Sequence, residues 1–210
     1  MTLDAIAEDH QAGACGALCP YCPMPTLAIS VYAPWAWAML YGGKTLENRT
    51  HGKRKFPMVY NGTPVLGDVW LHASLWPGGR GPLREGRQLD EFCDEIGRML
   101  AIYCLASGRV DPSAAEWDVP QLKRMLAERF GAKNPTRPFL EDMRGHIVGR
   151  LRVTGYRDPD DPPDSPWYVP GSRAVLVENP RPLAVPVPAK GALGWWPVPA
   201  DVLEQFRRSA

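Results

Sequence analysis

Twenty-three prolines and twenty glycines are distributed through 210 residues, and this density limits the fold more than any other feature. Proline removes a backbone donor and clashes inside a helix, while glycine weakens helix and strand interiors alike. A chain interrupted this often does not build a bundle of long helices. It favours short strands joined by many turns. Its length is enough for one substantial core with appendages.

Periodicity fills in the elements. Leu27–Val31 (LAISV) is expected as a short strand. Pro34 suits the first turn of a helix on which Trp35, Met39 and Leu40 fall near one face, giving an amphipathic helix that Gly42-Gly43 ends. Asp68–Ser74 alternates Val69, Leu71 and Ala73 with Trp70, His72 and Ser74, the period of a strand. Gln88–Ser107 carries an apolar stripe (Phe92, Ile96, Met99, Leu100, Tyr103), and Asp118 with Pro120 opens a second helix near Val119–Phe130. Gly145–Tyr156 alternates again and is a strand. An acidic, proline-rich loop follows over Arg157–Pro166. Ala174–Val177 and Leu183–Val187 are strands joined through Glu178-Asn179-Pro180. Gly191–Pro197 is rich in turns, and Val202–Arg207 forms a last short helix.

These elements divide the chain into a cysteine-containing extension (1–25), a domain over 26–199 with a helical insertion at about 88–131, and a tail helix over 200–210. The fold class is α+β, mainly β: a small β-barrel with a flanking first helix.

Composition excludes several classes. Net charge is +1, so any nucleic-acid site must come from local clustering. No apolar run is long enough to cross a bilayer as a helix, and Met1–Cys15 has neither a basic nor an apolar leader segment. A cytoplasmic protein with no membrane partner is expected. Five cysteines, an odd number, argue against a disulfide framework. The phosphate-loop, HExxH, GxSxG and dinucleotide fingerprints are absent, which leaves nucleotide hydrolysis, zinc proteolysis and serine esterase chemistry unsupported.

The chemistry concentrates in Ala33–Arg49 (APWAWAMLYGGKTLENR) and in Trp70–Ser74 (WLHAS). A glycine turn presents Lys44 and Thr45, followed by Glu47 and Arg49 on the same side of a strand. Lys44 in a half-dry cleft would lose basicity and serve as a base or polarise a carbonyl; on the surface it would only favour a helix C-terminus. Glu47 and Arg49 either hold a guanidinium fork ready for phosphate or a base edge, or form a structural ion pair. His72 and Ser74 are candidate contacts on the neighbouring strand, or packed strand residues. Lys53, Arg54 and Lys55, with Arg80, form basic runs suited to phosphate, and Trp35 or Trp76 could stack a base. Trp167 is either a ligand wall or a core aromatic.

Cys15-x3-Cys19-x2-Cys22 has the spacing of a cluster-binding motif of radical enzymes. The remainder of the chain supplies no barrel for that chemistry. With His10 upstream, the three cysteines could hold a structural zinc ion. Otherwise they are three reduced thiols in a loose segment.

The order Pro34-Trp35-Ala36, Gly43-Lys44-Thr45, Glu47-Asn48-Arg49 and Leu71-His72-Ala73-Ser74, then Gly145–Val153, Ser165-Pro166-Trp167, Leu176–Pro180 and Lys190-Gly191, resembles the activating-signal-cointegrator homology (ASCH) domain. The resemblance covers about Leu27 to Pro199 without the insertion. It implies a PUA-like pseudo-barrel and a cleft between the first helix, the Lys-Thr turn and adjacent strands. It implies RNA or a modified nucleotide as partner. Some members of the family are ribonucleases, and one branch is an amidohydrolase acting on acylated cytidine. That branch uses the motif lysine with a threonine three residues later; here that position is Glu47. The resemblance therefore leaves a binding module and a metal-independent hydrolase, using Lys44 with Glu47 or His72, as the two functional expectations.

Overall fold

In the computed structural model of the chain, the described residues are 15–19, 22–49, 58–75, 95–99, 102 and 143–209. The architecture is mixed α and β, rich in strand, around one curled six-stranded sheet. Its strands are β1 (Leu27–Tyr32), β2 (Leu46–Arg49), β5 (Gly67–Ser74), β6 (His146–Arg157), β7 (Arg173–Pro188) and β8 (Trp195–Pro197), in the order β2-β7-β6-β5-β1-β8. The β1–β5 pair is parallel and the others antiparallel. Helix α1 (Ala33–Tyr41) follows β1, and α2 (Ala200–Ser209) closes the chain. Residues 95–99 are helical, within the span expected for the first inserted helix; the second expected helix lies outside the described residues.

The curl has a local cause. The β6–β7 register shifts at Ile147/Gly149, Arg150/Arg152 and Val153/Gly155. Each irregularity bends a strand and increases its twist. The turn expected at Glu178-Asn179-Pro180 is instead one of these bends: β7 runs through it, with Asn179 in the left-handed region at φ 49°. Asparagine tolerates that conformation better than other side-bearing residues.

A small hairpin, β3 (Val59–Tyr60) and β4 (Thr63–Pro64), turns at Asn61-Gly62, where both residues take positive φ (49° and 82°). Residues flanking it are tied to β6 and β8. The Tyr156 hydroxyl donates to Val65 O at 2.8 Å, and Trp195 Nε1 donates to Met58 O at 3.2 Å.

Both faces of the sheet are buried. On one, Val69, Leu71, Leu151, Val153 and Val175 pack against α1 and against Ile96 and Met99. On the other, Trp70 and Ile147 pack against Val202 and Phe206 of α2 and against Ala17. The Trp70 and Phe206 rings stack with centroids 4.2 Å apart. Trp167 belongs to the first core. The expectation of an amphipathic α1 does not hold. Ala33, Pro34, Ala36, Trp37, Ala38, Met39 and Leu40 are all buried, because the sheet covers one side of the helix and residues 95–99 approach the other. Trp35, expected on the packed stripe, is only half-buried, and Trp37 takes the core position.

Candidate functional site

Gly43 takes φ 73°, which lets the N–H groups of Gly42 and Lys44 both return to Ala38 O, at 2.8 and 3.0 Å. Only glycine enters that region without steric cost. Gly43→Ala is expected to lower folding stability by about 1–2 kcal/mol, read from the urea midpoint; an unchanged midpoint would count against this role for the turn.

The turn delivers Lys44 into the protein rather than out of it. Lys44 is 3% exposed. Its ammonium donates to Leu46 O and lies 3.4 Å from Glu47 Oε2. Burial pulls its pKa down, and the Glu47 charge only partly restores it. The other Glu47 oxygen lies 3.5 Å from Arg49 Nη2, so one carboxylate sits between two cations. Arg49 Nη2 also donates to Ser30 O at 3.3 Å, while its buried Nε has no partner among the described residues. The Trp35 ring centroid is 5.8 Å from Lys44 Nζ, and Trp35 Nε1 is anchored on Glu95 at 2.9 Å. Between Glu47 and Arg49, Asn48 has a different task. Its Nδ2 donates to Trp167 O at 2.8 Å and its Oδ1 accepts from Val169 N at 2.9 Å, fixing β2 to the loop before β7. Thr45 is exposed, and its carbonyl accepts from Val177 N.

His72 is not joined directly to Lys44 or Glu47. Its Nδ1 lies 3.0 Å from Ser30 Oγ and its Nε2 3.2 Å from Ala189 O. Trp196 Nε1 donates to the same Ser30 hydroxyl at 3.0 Å. Only one proton arrangement satisfies all three contacts with a neutral ring: Nε2–H donates to Ala189 O, and Ser30 O–H donates to Nδ1. Burial pushes the His72 pKa down to about 4, more than its bond to Ala189 O raises it. The loop after β7 makes this possible, because a Cβ at Gly191 would stand 2.3 Å from His72 Cε1. Ser30 therefore touches Arg49 through its carbonyl and His72 through its hydroxyl. Ser74 Oγ is buried without a hydrogen-bond partner among the described residues.

Beyond Ser74, a cavity of about 380 Å³ is lined by Leu75, Arg144, His146, Ala189 and Lys190, among others. Arg144 is fixed there by its bond to Leu75 O at 2.6 Å. Of the residues singled out from sequence, His10, Lys53, Arg54, Lys55, Trp76 and Arg80 lie outside the described residues.

A second polar centre lies on the α2 side of the sheet, and sequence reasoning missed it. Asp68 accepts from Arg150, from Arg181 at 2.8 Å and from Arg152 at 2.9 Å. Burial alone would raise its pKa, but hydrogen bonds from Arg152 and Arg150 and the charges of Arg150 and Arg181 hold it below the usual carboxylate range. Cys15, Cys19 and Cys22 pack against this group. Their sulfur atoms lie within 4.8 Å of one another, close enough to bind a metal ion. Burial and the neighbouring thiols push Cys22 up to about 11.

The chain matches no family model, and no relative is found among curated proteins. Among the described residues no helix is long and apolar enough to cross a membrane.

Proposed function

We propose that the chain is an ASCH-type, PUA-like module of the cytoplasm that binds RNA or a modified nucleotide at Lys44, Glu47 and Arg49. The observation that carries this reading is the Glu47 carboxylate held between a buried ammonium and a half-buried guanidinium whose buried Nε–H has no partner among the described residues. Such a guanidinium is pre-aligned, so little side-chain freedom is lost when it takes a phosphate or the acceptor edge of a base. Trp35 is held at its edge by Glu95, which leaves a ring face for stacking. Lys53, Arg54, Lys55 and Arg80 add phosphate contacts.

The test is fluorescence anisotropy with short single-stranded RNA. Binding is expected at about 50 mM salt and should weaken steeply by about 200 mM, as counterion release requires. Arg49→Gln should weaken it roughly tenfold, the loss of one charged hydrogen bond. No binding at the lower salt overturns the reading.

A second reading, a metal-independent ribonuclease or nucleoside amidohydrolase, is favoured by the lowered basicity of Lys44 beside Glu47. Lys44 would stabilise developing negative charge while Glu47 or His72 moved the proton. The enzyme is incubated with RNA and with acylated cytidine. Turnover that survives Lys44→Ala removes this mechanism.

Cys15, Cys19 and Cys22 could hold a metal ion, which we propose is a structural zinc.

A further inference from the structure

We infer that Cys15, Cys19 and Cys22 form a single-ion, zinc-type thiolate centre, and that Arg181 couples it to Asp68 so that the metal clamps the segment before β1 onto the sheet. Two independent observations meet here.

The first is spacing. All three sulfurs lie within 4.8 Å of one another, and Cys15 and Cys22 are 3.3 Å apart. A tetrahedral ion with Zn–S bonds of about 2.3 Å sets its thiolates about 3.8 Å apart. The 3.3 Å Cys15–Cys22 separation and the 4.8 Å upper bound on all three are compatible with that value. A cubane iron–sulfur cluster binds each thiolate to a different iron and spreads the sulfurs further.

The second is charge. Arg150 and Arg181 are both deeply buried, and they share the single Asp68 carboxylate, whereas Arg152 is largely in solvent. Among the described residues one buried positive charge is left without a counter-charge, which is costly in a low-dielectric setting. A zinc ion with three thiolates carries one net negative charge, and Arg181 Nη1 already lies 3.4 Å from Cys15 Sγ. The guanidinium thus holds Asp68 with one nitrogen and faces the thiolate with the other. This is the arrangement by which an outer partner orients a metal ligand and balances its charge.

The segment that follows is already docked. Arg150 Nη2 donates to Pro23 O at 2.8 Å and Trp70 Nε1 donates to Pro25 O at 2.9 Å. The metal would fix the other end of the same stretch. A fourth ligand, water or a further side chain, completes the shell.

The experiment uses the full chain. Zinc is measured by elemental analysis after reconstitution, and Co²⁺ is used as a spectroscopic probe. About one zinc per chain is expected, with the intense visible bands and sulfur-to-cobalt absorption of a tetrahedral thiolate site. The Cys15→Ser/Cys22→Ser double variant should lose both. Arg181→Gln is expected to weaken zinc binding about tenfold while the far-ultraviolet circular dichroism stays unchanged. The wild-type readings need no variant, so misfolding of one cannot mask the answer. Substoichiometric zinc in the wild type would sink the proposal. So would roughly four irons with broad visible absorption, or a Cys15–Cys22 disulfide in the freshly isolated chain.

Discussion

Asp68→Asn should lower folding stability by about 3–5 kcal/mol, the cost of stranding buried charge when one member of a network is removed. The substitution keeps the side-chain shape and removes only the anion. Arg150 and Arg181, 2% and 6% exposed at their side chains, then face each other with no carboxylate between them. They cannot swing into water without uncovering Pro23 and the β6–β7 surface that they span. The measurement is the urea midpoint at pH 7 for wild type and variant, with the slope m checked for constancy. A loss below about 1 kcal/mol would place the cluster in the range of ordinary surface ion pairs. Replacing Asp68, Arg150 and Arg181 together by apolar residues of similar volume is a different experiment and need not destabilise, because the desolvation cost disappears with the charges.

His72 should make the protein acid-labile in a window that ordinary carboxylates do not explain. The unfolded imidazole takes up its proton near pH 6.5, the folded one only near pH 4. Between these values the unfolded state binds more protons, so stability rises with pH. The contribution is complete above about pH 6.5 and is lost as the solution is acidified towards pH 4, amounting to about 3 kcal/mol. The molecular event is specific. A second proton on the ring removes the acceptor at Nδ1 and leaves the Ser30 hydroxyl proton without its acceptor. Chemical denaturation of wild type and His72→Gln across pH 4–7 checks this. The wild-type curve should be the steeper of the two. Parallel curves would mean that the imidazole reaches solvent. Asp68, with its depressed pKa, loses its contribution only at still lower pH, so the two effects separate on the same axis.

Local signals in the sequence are readable where the structure obeys local rules. The alternation in Asp68–Ser74 correctly separates Val69, Leu71 and Ala73 from Trp70, His72 and Ser74. It cannot say that Trp70 is also buried, because its cover comes from Ala17 and Phe206, far apart in the sequence. The spacing of two between Glu47 and Arg49 puts them side by side on β2. That Arg49 reaches Ser30 O depends on the curl of the sheet, which no short window contains. Asn61-Gly62 carried a plain hairpin signal, but the prolines on either side (Pro57, Pro64) hide the two short strands. The Asp68 cluster gathers residues from β5, β6 and β7 and left no motif at all. Asn179-Pro180 reads as a turn because both residues favour one; the ladder absorbs it because a bent strand needs the same backbone.

The place of β1 has a consequence for synthesis. Among the described strands β1 is first in sequence, yet it lies second from one end of the sheet in space, with β5 on one side and β8, at Trp195–Pro197, on the other. A growing polypeptide emerging from the ribosome therefore carries an exposed edge at Leu27–Ile29 until Trp195–Pro197 has been made. Contacts that join such distant positions close slowly. A chain cut short before Trp195 would expose that edge, which neighbouring molecules can pair with.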